Sequence, residues 1–171
     1  MSAETLAWLR HWMIIAMGLM VLAATPARAN QWSLLINGKA VYLDEQPGVE
    51  YNDQNWGLGV QYDFEMTPRE WVPFVNASVF DDSNKNLSYY AGGRAVRRFS
   101  LGKKDGGLHL DAGIVAFLRV REEFKNGDPF PGLLPVISFG TDRLALNATY
   151  IPKVDPKMVP LVFFQLKIGL N

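Results

Sequence analysis

The chain of 171 residues is long enough for one domain, and 49% of its residues are hydrophobic, which is too few for a bundle of membrane-spanning helices. It contains no cysteine, which excludes disulfides, thiolate catalysis and cysteine-ligated metal sites. Lysine plus arginine and aspartate plus glutamate number 17 each, so the charge gives no reason to expect a nucleic acid as a partner.

The first 29 residues have the features of an export signal. A basic residue, Arg10, precedes an apolar run from Met13 to Ala24, and the small-residue pattern Ala27-Arg28-Ala29 follows. This order predicts a secretory signal peptide, cleaved after Ala29, that leaves residues 30–171 as the mature domain with a net charge near −1. The alternative is an uncleaved anchor, but the run is shorter than the roughly 18 to 20 residues that a spanning helix needs.

Beyond residue 30, short segments alternate apolar and polar residues and are separated by turn residues. Such alternation places one set of side chains on each face of a strand. From Leu108 to Val120, for example, the even positions are apolar, whereas the odd positions include His109, Asp111 and Arg119. Eight strands are predicted in this way, at 31–43, 56–66, 71–81, 88–101, 108–121, 133–140, 143–151 and 159–170.

These strands predict an all-β fold, an eight-stranded antiparallel transmembrane β-barrel of the outer membrane. Most segments have ten or more residues, which is the length of a tilted strand that crosses a bilayer. One face of each strand is small or polar, so the apolar face is expected to meet lipid, and closure removes the edges that hydrocarbon does not tolerate. Turns that alternate between short and long place both termini in the periplasm. The alternative is a soluble, lipocalin-like barrel.

Five short motifs lie along the mature chain in an order and at spacings that resemble one family, the lipid A palmitoyltransferases called PagP. They are Tyr51-Asn52 with Trp56-Gly57, Phe80-Asp81-Asp82-Ser83-Asn84-Lys85, Leu108-His109-Leu110, Leu133-Leu134-Pro135 and Thr149-Tyr150-Ile151-Pro152. The resemblance implies an outer-membrane enzyme that moves a palmitoyl chain from a phospholipid donor to the lipid A part of lipopolysaccharide. It implies a monomer among outer-membrane lipids, with no metal and no diffusible cofactor.

By the same resemblance, Asp82 and Ser83 would be catalytic residues at the outer rim of the barrel. The alternative is that these two residues form a polar loop that caps its own backbone. The family's third catalytic residue is a histidine, and Asn37 stands at its position here. An asparagine is not a general base, so we expect Asn37 to donate a hydrogen bond to a carbonyl oxygen instead. His109 is expected at the opposite, periplasmic end of the lumen.

The resemblance also implies where the lipid binds, with the acyl chain inside the barrel and Tyr51, Trp56 and Gly92 among the substrate-binding residues. Arg94 stands near the family's small residue at the floor of the acyl pocket, where it would shorten the pocket or bend its stem aside. Pro135 and Pro152 match prolines that open a lateral gate between the sixth and seventh strands, because proline donates no hydrogen bond to a neighbouring strand.

Basic residues at the outer strand ends are candidates for contact with lipid A phosphates. They are Lys85, Arg119, Arg121, Lys125 and Lys153. Two other functions remain open at this point. A barrel without the histidine could be non-enzymatic, with a structural or adhesive role. A lipid A deacylase would need a serine and a histidine together on one strand near the rim, and the sequence has no such pair.

Overall fold

The computed structural model describes residues 31–44, 48, 51–101, 107–121, 127–153 and 159–170. Within them, eight antiparallel strands form a closed barrel in which each strand pairs with the next and the last pairs with the first. The strands are β1 Gln31–Tyr42, β2 Gln54–Asp63, β3 Trp71–Asp81, β4 Leu87–Ser100, β5 His109–Arg121, β6 Phe130–Gly140, β7 Leu144–Ile151 and β8 Leu161–Gly169. The predicted eight-stranded barrel is confirmed.

Two predictions fall partly or wholly outside these residues. The signal peptide at 1–29 and the first residue of the mature domain belong to a part of the chain that the structure does not describe.

Among the described residues there is no helix with the length and apolar character needed to cross a membrane.

The largest differences from the predicted strand bounds, three residues each, are at the end of β2 and the start of β6. Strand β2 begins at Gln54 and ends at Asp63, because residues 64–66 lead into the turn that contains Pro68. Strand β6 begins at Phe130, three residues earlier than predicted, and so includes Pro131. A proline is tolerated at an unpaired strand edge, and this part of β6 has no ladder on its β7 side.

The two faces of the barrel wall have the predicted chemistry. On β5, His109 and Asp111 are buried in the lumen, whereas Ile114 and Leu118 are more than half exposed on the outer surface. The same alternation holds on β8, where Gln165 is buried on the luminal face. An apolar outer surface around a polar interior is the arrangement of a transmembrane β-barrel.

A β-bulge in β1 changes which residues face the lumen near the outer rim. Asn37 pairs with Gln165 of β8, but Ala40 pairs with Phe163, so β1 contains one extra residue between them. Asn37 and Ala40 are therefore both buried in the lumen, although an even alternation would place them on opposite faces. The bulge turns Tyr42, two residues beyond Ala40, toward the interior.

The ladder between β6 and β7 is short. These strands pair only from Gly140–Ala145 to Val136–Thr149, whereas β5 and β6 pair along eleven positions up to Arg119–Phe130. The outer halves of β6 and β7 are thus not joined to each other.

Buried ion pairs fill the periplasmic half of the lumen. Lys167 Nζ lies 3.0 Å from Asp63 Oδ2, and Arg98 contacts Asp111 at 2.9 Å and Asp142 at 2.7 Å. His109 Nε2 lies 3.6 Å from Asp111 Oδ2. The predicted luminal position of His109 at this end, away from Ser83, is confirmed.

Candidate functional site

The turn between β3 and β4 is built around the carboxylate of Asp82, which is buried. Its Oδ1 accepts backbone N–H groups from Asn84 at 2.8 Å and Asn86 at 3.1 Å. Its Oδ2 accepts the hydroxyl of Ser88 at 3.3 Å and lies 2.6 Å from Arg121 Nε. Asp82 therefore caps the backbone of its own turn, which is the alternative that the sequence left open. It also holds a buried ion pair.

Ser83 lies where this turn meets the end of β1. The Tyr42 side chain is hydrogen-bonded to Ser83, and its hydroxyl also donates to the Asn52 carbonyl at 2.9 Å. Asn52 closes the arrangement, because its backbone N–H donates to the Ser83 carbonyl at 2.9 Å and its amide donates to the Asp82 carbonyl at 2.9 Å. Contacts from Tyr42 and Asn52 thus hold Ser83 at the rim.

Sequence reasoning missed the part that Tyr42 plays in this arrangement. Its inward position depends on the bulge, and the available signal was Gly38, a glycine inside a strand. Tyr51, predicted to bind substrate, stacks on the Tyr42 ring with the centroids 4.8 Å apart. Tyr51 therefore supports the rim residue rather than forming part of the cavity wall described next.

A cavity extends from Asp82 and Ser83 into the outer half of the lumen. Its empty space is about 740 Å³, including the part that is open to solvent. The polar residues of its wall are concentrated at the rim and at the deeper end, where Asn76, Arg94 and Gln165 lie. Most of the wall between them is apolar: Phe80, Val115, Phe117, Leu134, Leu161 and Phe163.

Arg94 lines this cavity at its deeper end. Its guanidinium carbon lies 3.6 Å from the centroid of the Phe74 ring, and Nη2 donates to Gln61 Oε1 at 3.3 Å. Gly92 is not part of the cavity wall. A Cβ at Gly92 would lie 2.6 Å from the Ala116 carbonyl oxygen, so this glycine allows β4 and β5 to approach each other closely.

Asn37 is not brought to Ser83. Its amide donates to Ser78 Oγ at 2.5 Å and to the Val79 carbonyl at 3.3 Å, and its Oδ1 accepts from Gln165 Nε2 at 2.5 Å. Both amide hydrogens are thus already donated inside the barrel wall. This geometry does not fit the expectation that Asn37 donates to a substrate carbonyl. Asn37 instead supports Gln165, which lines the cavity.

Other predicted residues lie outside the cavity. Trp56 is 59% exposed on the outer, lipid-facing surface of β2. Lys85 and Lys153 are exposed at the rim, and Lys125 lies outside the described residues. Arg121 is ion-paired with Asp82 instead of being free for a phosphate.

The cavity reaches the unpaired part of β6 and β7. Leu134 lines it from β6, and Ile151 lines it from β7, both beyond the last paired residues of the ladder. Pro135 directly follows Leu134 at the point where the ladder ends, and Pro152 directly follows Ile151. The ladder between β6 and β7 is therefore interrupted next to the cavity, close to the two prolines.

The described residues contain no cluster of three histidine, aspartate or glutamate side chains arranged to hold a metal ion. The groups available at the rim are hydroxyl, carboxylate and guanidinium groups. They can orient an alcohol and an ester by hydrogen bonding, and they can bind anionic groups.

Comparison with known proteins places this barrel in a family. Residues 34–166 match the family described as "Antimicrobial peptide resistance and lipid A acylation protein PagP". The chain belongs to the PagP family. This membership and the apolar outer surface of the closed barrel identify it as an outer-membrane protein.

Individual relatives are moderately similar. The chain is 33% identical over 112 residues to the lipid A acyltransferase PagP of Laribacter hongkongensis, covering 65% of this chain and 52% of that protein. It is 30% identical over 102 residues to the PagP of Bordetella pertussis strain Tohama I, covering 60% of this chain and 54% of that protein. The matches thus span about half the length of these relatives. The structure of Ail from Yersinia pestis in a nanodisc aligns with 82% of this chain and 99% of Ail, at 12% identity and a TM-score of 0.44.

Proposed function

We propose that this protein is an outer-membrane acyltransferase that moves a palmitoyl chain from a phospholipid to the lipid A part of lipopolysaccharide. We further propose that it reaches the outer membrane through the periplasm after its signal peptide is cleaved, and that it acts as a monomer. The observation that carries the proposal is the cavity, which joins apolar walls to the polar rim at Asp82 and Ser83. An acyl chain would lie in the cavity with its ester at the rim.

The interrupted ladder supports a lipid substrate, for which it would serve as a lateral opening. A phospholipid in the outer leaflet would pass its acyl chain between β6 and β7, where the ladder ends at Val136–Thr149. Leu134 and Ile151 would contact the chain on both sides of this passage. The exposed Lys85 and Lys153 would contact phosphates of lipid A at the rim.

The transfer replaces one ester bond with another. A hydroxyl of lipid A attacks the ester carbon of the phospholipid, the new ester forms, and the lysophospholipid leaves with the proton of the attacking hydroxyl. Ser83 is suited to orient the attacking hydroxyl, because its own proton is donated to Tyr42 and its oxygen can still accept a hydrogen bond. Tyr42 holds the Ser83 side chain in place, and Asp82 fixes the turn that presents it.

Mass spectrometry of lipid A tests this function. Expression of the protein in a Gram-negative host that lacks this activity should add the mass of one acyl chain to lipid A, and Ser83→Ala should abolish the addition. Ser138→Ala is the matched control, since Ser138 is a buried luminal serine on the part of β6 that pairs with β7, and its hydroxyl has no hydrogen-bond partner in the described part of the chain. If no mass is added by the folded wild type, the barrel is the non-enzymatic alternative. If Ser83→Ala retains the addition, the site is assigned wrongly.

A further inference from the structure

Arg119 has a position that the proposed transfer reaction does not explain. The sequence placed it among the rim cations, but its side chain forms part of the cavity wall. Its guanidinium lies 5.0 Å from the Phe80 ring, and its Nη2 is 3.5 Å from Ser88 Oγ, at the limit of a hydrogen bond. Its Nε is buried and has no hydrogen-bond partner among the described residues.

Among the other guanidinium groups of the lumen, Arg98 pairs with two carboxylates. Arg94 at the deep end donates to an amide and stacks on a ring but, like Arg119, has a buried Nε without a partner among the described residues. Asp82, the carboxylate near Arg119, is held at 2.6 Å by Arg121. Two guanidinium groups thus share one carboxylate at the outer end of the cavity, and none of the described residues offers Arg119 an ion pair.

A cation that is withdrawn from water without an ion pair of its own is costly, so its position in an open cavity favours an anionic ligand. The position of Arg119 specifies the ligand further. On β5 it pairs with Tyr90 of β4, whereas Arg94 lies four residues farther along β4, toward the periplasm. Arg119 therefore lies near the mouth, with the apolar wall below it. A ligand with an anionic head group and a hydrocarbon tail matches a cation at the mouth and an apolar wall below it.

We propose that this cavity binds a free fatty acid, with the carboxylate on the guanidinium of Arg119 and the alkyl chain along Phe80, Val115 and Phe117. The planar guanidinium can donate two parallel hydrogen bonds to a carboxylate, which is among the strongest polar contacts in proteins. The inference rests on the proposed function only in using the same cavity for an acyl chain. It requires no transfer and no lipid A.

The test uses the purified full-length barrel in phosphatidylcholine vesicles and a palmitic acid probe with a photoreactive group at its methyl end. Unlabelled palmitic acid and hexadecanol then compete with the probe for cross-linking. The two competitors differ only in the head group, so the ratio of their inhibition constants measures the contribution of the carboxylate. We expect the wild type to prefer the acid by about tenfold or more, which is the size of a hydrogen bond to a charged group.

Arg119→Gln should reduce this ratio to about one while hexadecanol still competes, and Arg119→Lys should restore part of it. Arg94→Gln is the matched control in the same cavity and should keep the preference. Equal competition by acid and alcohol in the folded wild type overturns the proposal, as does an undiminished preference in Arg119→Gln. Loss of the preference in Arg94→Gln alone would place the anion at the deep end and also overturn it.

The binding result is independent of the transfer result. Preference for the acid without any addition to lipid A would refute the proposed enzymatic function and leave the fatty acid site standing. Addition to lipid A by a protein that binds acid and alcohol equally would support the enzymatic function and refute the fatty acid site.

Discussion

The ion pair between Asp82 and Arg121 should make the rim turn strongly dependent on both residues. Replacing Arg121 with Met removes the cation and leaves the fully buried Asp82 carboxylate with hydrogen bonds but no paired charge. Breaking a buried pair in this way costs about 3 to 5 kcal/mol. The Arg121 side chain is 20% exposed and Arg119 also attracts Asp82, so the lower end, about 3 kcal/mol, is expected.

The companion change Asp82→Asn should cost less, about 1 to 2 kcal/mol. The Asn oxygen can still accept the N–H groups of Asn84 and Asn86, but the amide nitrogen cannot accept from Ser88. In the double variant no carboxylate remains without a counter-ion, so its loss should resemble that of Asp82→Asn alone.

Urea unfolding from vesicles, followed by tryptophan fluorescence, gives the three free energies and their coupling. The reasoning predicts a coupling of about 2 to 3 kcal/mol between the two sites. Additive losses, within about 0.5 kcal/mol, would show that the pair does not hold the turn. Lipid A mass spectrometry on Asp82→Asn then reports any catalytic role separately, because the turn of this variant is largely retained.

Three further changes test the rim, the floor and the lateral opening. Tyr42→Phe removes the hydrogen bond that holds Ser83, and we expect about a tenfold lower rate of lipid A acylation, measured by mass spectrometry over time. Arg94→Ala removes the guanidinium at the deep end of the cavity, and the mass of the lipid A adduct should shift to longer acyl chains. Cysteines at Leu134 and Ile151, bridged by a short thiol-reactive reagent, should stop the transfer by closing the unpaired strands.

The changes at the floor and at the lateral opening have matched controls in this chain. Arg97→Ala alters an exposed arginine that contacts Glu70 outside the lumen, so the adduct mass should not change. Cysteines at Ile137 and Ala148 bridge two residues that the ladder already pairs, so transfer should continue. The chain has no native cysteine, so the bridging reagent reacts only at the introduced sites. Transfer that continues with β6 and β7 bridged at the opening would refute lateral access.

Alternation was enough to predict the barrel, because each position of a membrane strand faces either lipid or lumen. Ile114 and Asp111 therefore reveal their faces by composition alone. The site depended on features that alternation does not encode. The β1 bulge shifts the register by one residue after Asn37, which moves Tyr42 to the lumen. The ion pair of Asp82 joins β3 to the end of β5 and depends on the three-dimensional arrangement of the strands.

The two halves of the lumen differ in side-chain packing and in strand pairing. On the periplasmic side, Asp63 with Lys167 and Arg98 with Asp111 satisfy one another at 2.9 to 3.0 Å, and these side chains fill the interior between complete strand ladders. On the outer side, the ladder between β6 and β7 is absent where the cavity wall becomes apolar. Unpaired backbone is costly in hydrocarbon, so its presence beside this cavity is consistent with a passage for lipid. A ligand that enters there meets Arg119 and Ser83 at one end of the cavity and Arg94 at the other.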